Sequence, residues 1–174
     1  MPRKMPKLKT LRNRLDVVCR KYVKMRDNDT CQTCGIHKDA TPEGTVDWCH
    51  LISRRVIVTR WMSKATLTQC RSCHREYGDG FNIKMIKAID RMWGDGTCEL
   101  MEQIAREHPT TKTNYLHLPQ FRLELEAYYK KLIHCMEHST SPTIAQECMD
   151  SDMDLEGWGI ILKSSLGEQQ NESK

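Results

Sequence analysis

Residues 31–74 read CQTCGIHKDATPEGTVDWCHLISRRVIVTRWMSKATLTQCRSCH. Two Cys-x-x-Cys pairs bracket the stretch, Cys31 with Cys34 and Cys70 with Cys73. Thiolates two residues apart on a tight knuckle grip one edge of a tetrahedral Zn(II), and a second knuckle closes the shell. Gly35, directly after Cys34, lets the backbone turn its amides toward the sulfurs without steric cost. A redox dithiol is the poorer reading, because two matched pairs occur and neither sits in a βαβ pattern. Positions 35 to 69 separate the knuckles, a longer span than a simple zinc ribbon has, so the insert carries something of its own.

The insert predicts two short strands, Val46–Ile52 and Val56–Trp61, with a turn around Ser53–Arg55. Between the knuckles lies Asp47-Trp48-Cys49-His50, and His74 follows Cys73 directly. Hydrolysis of a phosphodiester needs a base for water, a divalent ion on N/O ligands and cations that position the backbone. His50, His74 with Asp47, and Arg54 with Arg55 suit those three roles. Plainer roles exist for the same residues. His74 next to a knuckle suits a helix cap or a thiolate hydrogen bond, and His50 suits a structural strand histidine. Period-two alternation puts Cys49 opposite His50, as a core thiol, and puts Asp47 opposite His50 as well.

Outward from this centre, the apolar positions Leu11, Leu15, Val18, Cys19, Tyr22 and Val23 predict an amphipathic helix ending near Arg26. Residues 1–10 read as a flexible basic arm and DNDT, before Cys31, as a turn. A short helix is expected to start within residues 70–78. Ile83, Ile86, Ile89 and Met92 predict a second amphipathic helix, and Leu100, Met101, Ile104 and Ala105 a third. Pro119, Phe121, Leu125, Tyr128, Leu132 and Met136 predict a fourth, with the proline in an acceptable early position. The expected fold class is α+β, mainly helical: a small zinc-stapled module with flanking amphipathic helices. Its segments are a basic arm and helix (1–26), the stapled module (27–80), a helical extension (81–138) and an acidic, partly disordered tail (139–174). The tail holds one apolar island, LEGWGIILKSSL.

Charge supports a polyanionic partner for the front of the chain. Residues 1–75 carry 17 Lys and Arg against 6 Asp and Glu, a net +11, whereas the remainder carries 10 against 17, a net −7, giving the whole-chain +4. Ten of those cations fall in the first 26 positions, with Asp16 as the lone acid. Nucleic acid is the expected polyanion. No apolar run reaches the length needed to span a bilayer, and the start, MPRKMPKLKT, lacks the apolar segment of an export signal. The nine cysteines are therefore expected as thiols in a reducing, cytoplasmic setting, with Cys19, Cys98, Cys135 and Cys148 as inert or core groups. Tyr115, Tyr128, Tyr129 and Trp93 are expected in the core or an interface rather than as base-stacking platforms.

The motifs CQTCG (31–35), CHLISRR (49–55), TRW (59–61) and QCRSCH (69–74) together resemble the HNH, or ββα-metal, nucleases. More narrowly, they resemble the phage lambda NinG/Rap family of recombination endonucleases, over roughly residues 15–135. That resemblance implies a ββα site in which His50 deprotonates water and a single Mg(II) or Mn(II) sits between strand and helix; from the residues themselves, His74 and Asp47 are expected to hold that ion. It implies branched DNA as substrate: Holliday junctions, D-loops and related intermediates, in a bacterial host's cytoplasm. Arg54, Arg55 and Arg60 are then expected on backbone phosphates, and Arg12, Arg20 and Lys21 on the first helix extend that surface. A symmetric junction offers two equivalent phosphates, which makes a homodimer the expected assembly. The chain departs from the pattern at three positions. Ala65 stands where the family has Asn, with Thr66 beside it; Cys49 stands where an acid often precedes the catalytic His; and Met62 replaces an acid after the Arg-Trp pair. These departures define the alternative, a non-catalytic zinc-containing DNA-binding module. A weaker alternative is a protein adaptor working through its acidic helices and tail.

Overall fold

The computed structural model describes residues 5–75, 83–107 and 119–138. Helix α1 spans Leu8–Arg26 and buries Leu11, Leu15, Cys19, Tyr22 and Val23, the stripe that its sequence period requires. It starts three residues before the expected Leu11, because the Lys7 carbonyl accepts the Leu11 amide and extends the first turn. Lys24 and Arg26 in the last turn favour the negative end of the helix dipole. The chain then reverses through Asn28 and Asp29, both at positive φ (50° and 47°), and the Asp29 amide donates to the Lys24 carbonyl at 2.8 Å. Asn and Asp tolerate that left-handed conformation better than other side-chain-bearing residues.

Strand β1 (Asp47–His50) pairs antiparallel with β2 (Thr66–Gln69), with His50 opposite Thr66 and Asp47 opposite Gln69. A short helix, α2 (Arg71–Arg75), follows β2 directly. The second strand expected at Val56–Trp61 is not one. Residues 53–65 instead form a run of tight turns, with amide–carbonyl bonds Val56 to Ser53, Arg60 to Ile57, Met62 to Thr59 and Ala65 to Met62. The residues that suggest a strand serve as core plugs: Ile57, Val58 and Trp61 are buried there, with Met62 beside them. The true second strand, TLTQ, is buried at all four positions and shows no polar–apolar alternation.

Helices α3 (Ile83–Trp93) and α4 (Thr97–Glu107) are joined at Gly94–Gly96, where Gly94 adopts φ +101°, a conformation that excludes most side chains. Helix α5 (Pro119–His138) opens on its proline. Its contacts with α1 advance in step, Arg122 to Leu8, Arg14 to Glu126 and Lys21 to Glu137, so the two helices run parallel. The hairpin lies between two apolar layers. Trp48 faces a cluster built from α1, α5, Met101 and the turns around Trp61, whereas Cys49 and Leu67 face Met85, Ile89 and Cys98 of α3 and α4. Tyr129 of α5 donates its hydroxyl to the Trp61 carbonyl, which fixes the turn run against the helix pair.

The coarse expectation of a mainly helical α+β chain therefore holds. The expected arm, module and helical extension are successive in sequence but share one core, since Leu15, Trp48 and Leu125 belong to one cluster. The expected tail, the apolar island, Tyr115 and Cys148 lie outside the described residues. Among the described residues no helix is long and apolar enough to cross a membrane.

Candidate metal centre and the His50 site

The four knuckle cysteines come together at one end of the hairpin. Their sulfurs all lie within 4.8 Å of one another, and Cys34 Sγ stands 3.8 Å from Cys70 Sγ. A tetrahedron with metal–sulfur bonds of about 2.3 Å has edges of about 3.8 Å, so the cluster has the size that a tetrathiolate ion such as zinc requires. Gly35, at φ +77°, turns the first knuckle, and its amide donates to the Cys31 carbonyl at 2.8 Å. Burial acts to raise the Cys31 thiol, but backbone hydrogen bonds from Cys70, Cys34 and Thr33 outweigh it and hold the group below its ordinary value. Burial and the neighbouring thiols push Cys73 upward. Four thiols this close cannot all ionise alone, and a dication supplies the missing charge.

Hydrogen bonds independent of any ion also fasten the knuckles. Asp27 Oδ2 accepts from the Thr68 amide (2.7 Å) and lies 3.0 Å from the Thr68 hydroxyl. That hydroxyl is 2.6 Å from the Thr30 carbonyl, and the Gln32 amide donates to the Thr68 carbonyl at 2.9 Å. Gln69 Nε2 donates to Thr33 Oγ1 at 2.7 Å. Arg26 pairs with Asp27 (2.7 Å) and donates to the Ser63 and Thr66 carbonyls, both at 2.9 Å. The end of α1 is thereby bound to β2 and to the first knuckle.

His50 closes β1 on the Trp48 face, its ring centroid 4.2 Å from that of Trp48. Its Nε2 lies 3.1 Å from the Arg60 carbonyl oxygen. A carbonyl only accepts, so Nε2 carries the proton and Nδ1 is left with the lone pair. Burial, followed by the charge of Arg54, pushes the His50 pKa down to about 3, and the ring is neutral at pH 7. Arg60 is itself fixed by Asp16 of α1. Its Nε and a terminal nitrogen donate to the two Asp16 oxygens at 2.9 and 2.6 Å, and Trp61 Nε1 donates to Asp16 Oδ1 at 2.9 Å. Burial alone raises the Asp16 carboxyl, but the hydrogen bonds from Arg60 and Trp61 and the charge of Arg60 hold it below the ordinary carboxylate value. The other Arg60 nitrogen donates to the Arg54 carbonyl at 2.6 Å. One lone acid thus orders the carbonyl that fixes His50 and the turn that carries Arg54 and Arg55.

Asp47 and His74 meet on the opposite side, with Nδ1 to Oδ2 at 3.2 Å and both side chains about half exposed. They share a surface cleft of about 360 Å³ with Glu43, Thr45, Arg71 and Arg75. The two residues expected to hold the catalytic ion therefore stand side by side, hydrogen-bonded to each other. His50 does not share their surroundings, because residues three apart on a strand point to opposite faces and no bulge intervenes in the Asp47–His50 register. Cys49 is buried, its thiol pushed up to about 12 by burial, as expected of a core group. Ala65 and Met62 are apolar core, at 1% and 4% exposure, and Thr66 turns its hydroxyl to the Ser63 carbonyl at 3.2 Å. None of the three faces an open site.

The expected phosphate-binding residues divide. Arg54, Arg55 and Arg20 are exposed and Arg12 is half-buried. Arg60 is committed to Asp16, with its side chain 12% exposed, and so is no surface cation. Lys21 is paired with Glu137 of α5. Asp16, Asp27 and Arg26 are site residues that local sequence spacing does not mark. For Asp16 a signal existed, since one acid among ten cations on an amphipathic helix is conspicuous. No known family's sequence pattern matches the chain, and no curated protein or solved structure is significantly similar to it.

Proposed function

We propose that the chain is a metal-dependent DNA endonuclease of the HNH kind, acting on branched recombination intermediates. The observation that carries the reading is the tautomer of His50, whose Nε2 proton is given to the Arg60 carbonyl so that Nδ1 keeps the lone pair a general base uses. A structural histidine can make the same bond, but among the described residues Nδ1 of His50 has no hydrogen-bond partner. The order β1, β2, α2, with His50 ending the first strand and His74 on the helix, agrees with a ββα arrangement. The tetrathiolate cluster suits structural Zn(II). Asp47 and His74 offer the oxygen and nitrogen donors that a Mg(II) or Mn(II) ion at phosphate accepts, and that ion, when bound, supplies charge neutralisation at the scissile group. Arg54 and Arg55, exposed beside His50, hold the backbone.

A second reading has its own observation. The pair Asp47–His74 and the base His50 stand on opposite faces of β1, and Ala65 and Met62 are sealed in the core. This favours a zinc-stapled module that binds branched DNA without cutting it. Cleavage of a synthetic four-way junction and its matching linear duplex separates the two, with EDTA, Mg(II) and Mn(II) compared for wild type and His50→Ala. Metal-dependent nicking near the branch, reduced about 100-fold or more in the variant while zinc content and DNA affinity persist, is the expected outcome. Tight junction binding with no nicking under any ion moves the assignment to the binding module.

A further inference from the structure

The last turn of α5 reads His134-Cys135-Met136-Glu137-His138. We propose that His134 and His138 form a second metal site, separate from the thiolates, for a divalent transition ion that prefers imidazole: Ni(II), Zn(II) or Cu(II). Residues four apart on a helix stand one above the other on the same face. Here the two rings already lie side by side, with centroids 4.1 Å apart and planes tilted by 38°. Both residues are exposed.

The tautomer of His138 is set for ligation. Its Nδ1 lies 2.9 Å from the His134 carbonyl oxygen, which can only accept, so Nδ1 holds the proton and Nε2 presents the lone pair. A ring N–H given to a backbone carbonyl is the arrangement that orients metal-binding histidines. Position adds to this, because the negative end of the helix dipole favours a cation at the last turn of a helix. Glu137 lies on the same face, three residues after His134, and contributes negative charge beside the imidazoles. It is held by Lys21 at 2.5 Å. The two centres differ in chemistry: soft thiolates take the structural ion, and the exposed imidazole pair takes a borderline ion in exchange with solvent.

The test uses the full chain carrying one equivalent of zinc at its cysteines, titrated with Ni(II) in a calorimeter at pH 7.5. Absorbance is recorded alongside for thiolate-to-nickel charge transfer, together with zinc content. One further equivalent of nickel is expected, without charge-transfer bands or zinc release. His134→Ala and His138→Ala should each weaken it about tenfold or more, and Glu137→Gln by a smaller factor. Both histidines are exposed, and circular dichroism verifies that the variants fold. The proposal is overturned if wild type takes up no second equivalent. Nickel binding that survives in either histidine variant, or that brings thiolate bands, overturns it equally.

Discussion

The two ends of one four-residue strand are stabilised in opposite ways. Toward Asp47, the hairpin ends in four thiols from two short loops, each with its chemistry written into a three-residue spacing. Toward His50, the imidazole is fixed by a carbonyl ten residues on, whose own residue is gripped by Asp16, 44 positions before Arg60. The first end has the donors to hold an ion. The second depends on a mostly buried ion pair between a helix and a turn run, and its chemistry follows from long-range contact. The difference teaches that a site can be recognised by its ligands and still owe its function to residues far from it in sequence.

Removing the ion should break the first end most severely. The apparent binding free energy of a structural zinc in small domains is about 10–16 kcal/mol, comparable with the whole stability of a domain. Cys70→Ser, or chelation of the wild type, is therefore expected to abolish cooperative thermal unfolding. Zinc content is measured beside circular dichroism melts. A variant that loses zinc yet melts within a few degrees of wild type would mean that the Asp27–Thr68 hydrogen bonds alone hold the knuckles together.

Breaking the second end should cost less but reach further. Asp16→Ala leaves Arg60 mostly buried without its partner, and loss of one member of a buried pair costs about 3 kcal/mol. That corresponds to a drop in melting temperature of order 10 °C for a domain near 100 residues. Zinc should remain bound. A nitrogen NMR spectrum of His50 gives the sharper readout, since freeing the Arg60 carbonyl should mix the two tautomers. If Asp16→Ala melts like wild type and keeps the Nε2–H tautomer, the carbonyl is positioned by the Tyr129–Trp61 contact and not by Asp16.

The same contrast explains what could be read in advance. The four-cysteine cluster, the turn at Gly35 and the helices around Ile83–Met92 and from Pro119 follow from local spacing, and the structure has them. Cys49 as a core thiol and Asp47 opposite His50 follow from strand alternation. The second strand was misplaced because Val56, Ile57 and Val58 carry the residue types of a strand but fill the core from a run of turns. Thr66–Gln69 gives no strand signal because a strand buried on both faces has no alternation to show. Arg60 looked like a phosphate cation because its partner, Asp16, lies on another element. A side chain's charge is visible in sequence, but whether that charge is already neutralised is not.

His50 offers a pH test of its burial. Its pKa is lowered in the folded chain, so between its unfolded value near 6.5 and about 3 the unfolded state binds more protons. Stability therefore rises with pH through that window and is lost as pH falls, by at most about 1.4 kcal/mol per pH unit. Asp16, lowered by Arg60 and Trp61 against its burial, loses its contribution in the same direction but at lower pH. Urea midpoints from pH 7 to pH 4 should fall for wild type and stay flatter for His50→Gln. Parallel curves would show that solvent reaches the ring and that Nδ1 is not held in a desolvated site.

The smallest effect on stability should be the most telling for DNA. Arg54 and Arg55 are exposed on the turn that Arg60 orders, and surface substitutions of this kind change folding by no more than about 0.5 kcal/mol. If both hold phosphates, the double variant Arg54→Ala/Arg55→Ala releases about two fewer counterions, and the slope of log K against log salt for a four-way junction should shrink by about 1.8. Lys21, already paired with Glu137, should change that slope less when replaced by Ala. Because Asp16 acts on the turn through Arg60, Asp16→Ala should weaken junction binding while leaving the slope nearer to wild type, as the two arginines remain but their presentation loosens. An unchanged slope in the double variant, with a large change in Lys21→Ala, would move the DNA surface from the hairpin turn to the exposed face of α1 and separate it from His50.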